Sequence, residues 1–220
     1  MTSTTASRRT GFPVLPIALA GLGLAVSLAL LTWAWSLRRT ARTTGDHELP
    51  RLTSVPDFTT TSESGATVTK ASLAGTVYIA DFIFTTCQGI CPGMTSKMKS
   101  LEARLRDEPR VRFVSFTVDP DHDTPEVLAR YGKEHGADPA RWSFLRTDTA
   151  SLRRLCREGF RLGIEDAGPA AAEPILHSTR FVLVDATGTI RGYYDSDEPG
   201  AMKALEGDAR TLAREARGGG

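Results

Sequence analysis

Val77-Tyr78-Ile79-Ala80-Asp81-Phe82-Ile83-Phe84 runs straight into Thr85-Thr86-Cys87-Gln88-Gly89-Ile90-Cys91-Pro92. The first half is apolar apart from Asp81 and is bounded upstream by Gly75, the pattern of a central strand covered on both faces. Past the second half, Met94, Met98, Leu101 and Leu105 recur at helical spacing. Two cysteines therefore sit at a strand-to-helix turn. The first N–H groups of a helix have no partner within it and carry a partial positive charge, so a sulfur there is favoured as thiolate. Two sulfurs about one turn apart can close on each other as a disulfide or jointly hold one soft metal ion.

Working outward, Val55-Pro56-Asp57-Phe58 and Ala66-Thr67-Val68, separated by Ser62-Glu63-Ser64-Gly65, predict a small hairpin. Val111–Val118 predicts a second buried strand, ended by Asp119-Pro120. A short helix over 125–135 follows, with Thr124 as N-cap, Pro125 in its first position and Gly136 past its end. Leu152, Leu155, Cys156 and Phe160 mark another helix. Phe181–Val184 and Ile190–Tyr194 read as strands joined through Asp185-Ala186-Thr187-Gly188, and a last helix covers about 200–216. No internal repeat is visible. Strands alternating with helices predict an α/β sandwich with some parallel strands.

The chain has 220 residues, of which 40% are apolar and 24% charged, an ordinary globular composition for one core plus appendages. Charge is unevenly spread. Residues 1–45 hold five arginines (8, 9, 38, 39 and 42) and no acid, leaving 22 basic against 26 acidic groups in the remaining 175 residues, a net charge of −4. Nucleic-acid binding by that part is excluded as a reading, since a phosphate backbone needs a basic face. Residues 10–37 contain no ionisable side chain, and Val14–Leu37 is rich in Leu, Ala, Val and Gly, with Trp33 and Trp35 near its far end. At about 1.5 Å per residue such a helix crosses a hydrocarbon core of roughly 30 Å. The absence of an A-x-A-like site after the run favours an uncleaved anchor over a signal peptide. The expected organisation is a tail over 1–13, a transmembrane anchor over 14–37, a polar tether over 38–54 and one domain over 55–217.

Specificity comes from what surrounds the cysteines. Thr85-Thr86-Cys87-x-x-x-Cys91-Pro92 is followed by Val118-Asp119-Pro120-x-x-Asp123-Thr124-Pro125, with Tyr131 in the helix beyond, and then by His177-Ser178 before a strand ending in an Asp-x-x-Gly turn. In this order the motifs resemble the Sco/SenC copper-chaperone family, over nearly all of the chain from Val55 to the final helix. The resemblance implies a thioredoxin-like fold and copper held by Cys87, Cys91 and His177, as copper(I) or copper(II). Gln88 departs from the proline that many members carry there, which leaves all three ligands intact. The donor set suits the metal: copper(I) is soft and prefers thiolates, with imidazole an acceptable third donor. His177 lies 86 residues beyond Cys91, and no spacing rule brings it to the thiols; the family resemblance alone does so.

The same resemblance implies a single-pass protein of the bacterial cell membrane, its domain on the extracytoplasmic side. Its function would be to assist assembly of the dinuclear copper site of cytochrome c oxidase. The expected partners are the copper-bearing subunit of that oxidase, a copper donor and a thiol reductant. The competing reading is a thiol-disulfide oxidoreductase with Cys87 and Cys91 as its redox-active pair; dedicated oxidoreductases usually space their cysteines C-x2-C. Asp81, six residues before Cys87, resembles the buried carboxylate of thioredoxins. Such a group must be desolvated, hydrogen-bonded or partly protonated. Asp123 reads as a charge near the positive end of a helix and Asp119 as an acceptor behind the metal ligands. Cys156, Met94 and Met98 read as core, and His47, His122 and His135 as solvated.

Overall fold

The computed structural model describes Ser27, residues 48–161 and residues 179–218. The chain divides into two units, Met1–Glu48 and Leu49–Gly220. The second contains β1 (Thr59–Ser62), β2 (Thr67–Thr69), β3 (Val77–Ile83), α1 (Ile90–Arg104), β4 (Val111–Thr117), α2 (Pro125–Glu134), β5 (Trp142–Arg146), α3 (Thr149–Arg154), β6 (Arg180–Val184), β7 (Ile190–Asp195) and α4 (Ala201–Gly218). The strands form one mixed sheet in the order β2-β1-β5-β4-β3-β6-β7. Its centre is parallel, Ile79 facing Phe113 and Phe113 facing Trp142, while β6 runs antiparallel to β3 with Ala80 opposite Val182. All seven residues of β3 are buried, as a strand in the middle of a sheet covered on both faces requires.

Period-two alternation along β3 sends Val77, Ile79 and Ile83 to one face and Tyr78, Ala80 and Phe82 to the other. The first face is covered by α1 through Met94, Met98 and Leu101, by α2 through Leu128 and Tyr131, and by α4 through Leu205, Ala209 and Leu212. The second is covered by Val55, Phe58, Leu152, Leu155, Cys156 and Phe160, and Phe160 meets the Phe82 ring edge-on at 5.1 Å. Met94, Met98 and Cys156 are thus core residues, as expected. Helix α2 begins as read: Thr124 Oγ1 accepts from Val127 N at 3.4 Å, Pro125 opens the first turn and Gly136 ends it with φ of 68°. Such a cap contributes about 1 kcal/mol.

Three features differ from expectation. The hairpin exists, but its first strand is Thr59–Ser62 and not Val55–Phe58. Val55 and Phe58 instead plug the second face of the sheet, while Thr61 and Ser62 pair with β5. Strand β5 was not visible in the pattern. The helix beginning at Thr149 ends in a π turn, Leu155–Gly159, closed by Phe160 N donating to Leu155 O at 2.9 Å.

Residues Leu49–Ser54 are fastened to β7. Buried Arg191 donates to the carbonyls of Leu49 and Pro50 and pairs with Asp185 at 3.0 Å, and Leu52 N donates to Ile190 O. Among the described residues no helix is long and apolar enough to cross a membrane. Apart from Ser27, the expected span over 14–37 lies outside the described residues.

Candidate metal and thiol site

Strand β3 ends at Ile83, and Cys87 N donates back to Phe84 O at 3.2 Å, closing the turn that carries the chain into α1. Gly89 caps that helix and supplies no side-chain hydrogen bond, so the first N–H groups of α1 are left for another acceptor. The Cys87 sulfur takes that place. Partial burial pushes its thiol up, but hydrogen bonds from the Cys91 thiol and from the N–H groups of Cys91, Gly89 and Ile90 outweigh this and hold it below the ordinary cysteine value. Cys91, one turn into α1, is 3% exposed. Burial, its hydrogen bond to Cys87 and the nearby charges of Cys87 and Asp81 push its thiol well above the ordinary value. The two sulfurs are not joined in a disulfide. The pair therefore shares its first proton loss, with the charge resting on the accessible sulfur and the remaining proton on the buried one.

Beneath the thiols lies Asp81, fully buried on the α1 face of β3. Ser115 Oγ donates to its Oδ1 at 2.6 Å, and Trp142 Nε1 donates in turn to that Oγ at 2.9 Å. Oδ2 has no partner. Burial raises the carboxyl to about 7, opposed by the Ser115 hydrogen bond. Tyr131 closes the side, its hydroxyl 2.7 Å from Thr95 Oγ1, and burial with the neighbouring Asp81 and cysteines moves the phenol up to about 12. Cys156 lies in the opposite core and burial alone raises it to about 12.

The loop after β4 packs against the turn before Cys87. Asp123 is 0% exposed and does not cap α2. Its carboxylate accepts from Thr85 N at 3.2 and 3.4 Å and from the hydroxyls of Thr85 and Thr117. Asp119 accepts from exposed His122, Nδ1 to Oδ1 being 2.9 Å, and the His135 ring packs at a tilt against Tyr131 with centroids 4.3 Å apart. His122 is thus held rather than merely solvated. His47 and His177 lie outside the described residues. Strand β6 follows His177 in sequence and starts, at Arg180, toward the end of β3 from which the cysteine loop departs, because the two strands are antiparallel. Among the described residues no group of three or more His, Cys, Asp and Glu side chains converges on a point that could hold a metal ion. The described part supplies two sulfurs, one of them accessible and poised as thiolate.

Known proteins resemble this chain in sequence and fold. The SCO1 protein homolog of Bacillus subtilis (strain 168) is 33% identical over 146 residues, 66% of this chain and 75% of that protein. The solved structure of BsSco, a member of the Sco family of cytochrome c oxidase assembly proteins in which a disulfide switch is identified, superposes with a TM-score of 0.66 at 28% identity. That match covers 77% of this chain and 99% of BsSco. ScoI of Bradyrhizobium japonicum, solved with copper bound, shares the fold at 21% identity and a TM-score of 0.56, covering 71% of this chain and 98% of that one. The mixed sheet is thus the thioredoxin-like fold of the Sco structures. The family model described as SCO1/SenC matches residues 47–211. Since that match takes in every strand and all but the last turns of α4, this chain belongs to the SCO1/SenC family.

Proposed function

We propose that this protein is a membrane-anchored copper-binding chaperone that assists assembly of the dinuclear copper site of cytochrome c oxidase. Copper is its cargo, held by Cys87, Cys91 and His177. The observation that carries the reading is the unequal thiol pair: an accessible sulfur stabilised as thiolate by the N–H groups of α1, beside a second sulfur at one turn's distance. Copper(I) needs two such donors, and its binding displaces the proton that Cys91 retains. The BsSco and ScoI comparisons support the cargo and the client. The organisation that goes with it is a tail over 1–13, an anchor over 14–37, a tether over 38–54 whose end, Leu49–Ser54, is fastened to β7, and the domain over 55–217, with the domain on the extracytoplasmic side of a bacterial membrane. A copper donor and a thiol reductant would serve it.

The same thiol asymmetry favours a second reading, thiol-disulfide exchange, in which Cys87 attacks and Cys91 resolves. His177 separates the two. An exchange enzyme needs only the sulfurs, so His177→Ala should leave it active. A carrier should lose its nitrogen donor, with copper(II) weakened more than copper(I) because copper(II) favours nitrogen and a higher coordination number. In cells, His177→Ala should reduce assembly of the copper oxidase, and Cys91→Ser should reduce it further, both read as oxidase activity and subunit content. Normal assembly with His177→Ala and failed assembly with Cys91→Ser would replace the carrier mechanism by the reductase.

A further inference from the structure

The turn that presents Cys87 is held by a group from another part of the chain. Between Ile83 and Ile90 the backbone belongs to no strand; within the turn Cys87 N donates to Phe84 O, and the Cys87 sulfur accepts from the N–H groups of Gly89, Ile90 and Cys91. Asp123 adds a long-range hold. Both oxygens of this buried carboxylate are occupied: Oδ1 and Oδ2 share Thr85 N–H, Oδ1 also takes the Thr85 hydroxyl and Oδ2 the Thr117 hydroxyl. Thr117 belongs to β4, whose partner across the ladder is Ile83, the last residue of β3. Asp123 N donates to Asp119 O at 2.9 Å, so the carboxylate sits on a braced loop. The result is a closed clamp from the end of one strand, through Asp123, to the residue two positions before Cys87.

We propose that Asp123 is the positioning residue of the cysteine loop, fixing through Thr85 where the chain leaves β3 so that the Cys87 sulfur stays over the first N–H groups of α1. Asp123 reaches Cys87 through the backbone of Thr85, two residues before it, while the Cys87 thiolate is stabilised by hydrogen bonds from Cys91, Gly89 and Ile90. The consequence for copper rests on the chaperone reading; the consequence for the thiol does not.

The test uses the reduced full-length chain and follows the pH dependence of Cys87 alkylation, located by mass spectrometry, beside copper(I) release to a competing chelator. Asp123→Ala should move the alkylation midpoint up by about one unit, tenfold in thiolate population at fixed pH below it, and speed copper release about tenfold. Asp123→Asn should restore both to within about twofold, because the amide oxygen can accept from Thr85 N–H while its NH2 donates to either threonine hydroxyl. An unchanged midpoint in Asp123→Ala, whatever its melting temperature, would make the clamp structural only and overturn the proposal. So would Asp123→Asn behaving like Asp123→Ala, since charge rather than position would then matter. If Asp123→Ala fails to fold, Thr85→Val, which loses only the hydroxyl donor, should shift the midpoint in the same direction by about threefold in thiolate population; no shift there would equally overturn it. A parent chain that binds no copper would defeat the chaperone reading while the alkylation arm still decides the role of Asp123.

Discussion

Cys91→Ser should weaken copper(I) binding by about a thousandfold, roughly 4 kcal/mol, in competition with a copper(I) chelator. A serine hydroxyl does not ionise at neutral pH and is a hard donor, so the substitution removes one of two soft anionic ligands and leaves Cys87 alone with a nitrogen. Cys87→Ser should cost a similar amount, because it removes the sulfur that the N–H groups of α1 hold as thiolate. Cys156→Ser should leave copper binding unchanged, since that thiol is buried in the core on the opposite face of the sheet. If Cys91→Ser retains affinity within about tenfold of the parent, the buried sulfur is not a principal donor.

The second large effect concerns stability. Asp81 has a folded-state carboxyl raised to about 7 by burial, against roughly 3.9 when unfolded. Between these values the folded chain keeps a proton that the unfolded chain has released, so the contribution of Asp81 to stability is most favourable below about pH 4 and falls as pH rises to about 7. Above that the full cost of a buried carboxylate with an unpartnered Oδ2 is present. Asp81→Asn keeps the acceptor for Ser115 without the charge, and at pH 8 it should be more stable than the parent by about 2–4 kcal/mol, the gap closing toward pH 4. Urea denaturation of the reduced, copper-free chain across that range measures it. A gap that does not change with pH would mean that the carboxyl titrates normally and that its burial is relieved by solvent.

What could be read from sequence was what local pattern determines. Buried β3, α1 with its four apolar positions, and the α2 start at Thr124-Pro125 each carry their own signal within a few residues, and each stands where expected. Strand β5 carries none: Trp142–Arg146 is five residues long, and its place beside β4 is set by the crossover through α2. The Val55–Phe58 run looked like a strand because apolar residues flank Pro56, yet its residues serve the core while the threonine-rich Thr59–Ser62 makes the ladder. For the site, the two cysteines and Asp81 were visible because one continuous strand, turn and helix carries all three. Asp123 stands next to the helix start as expected, but its hold on Thr85 had no local signal. Its neighbours Thr124 and Pro125 account for that helix start completely, and its partner Thr85 is 38 residues away. The proposed link of His177 to the thiols would have the same non-local character, with only the family pattern to suggest it.

Whether the paired thiols carry copper is decided by titrating the full-length chain with copper in two redox states. The reduced chain should take up one equivalent, with spectra that change when His177 is replaced by alanine. The chain oxidised to a Cys87–Cys91 disulfide should bind none, because its sulfurs can no longer act as thiolates. Equal affinities of the two forms would contradict the account, since the sulfurs would then not be the ligands.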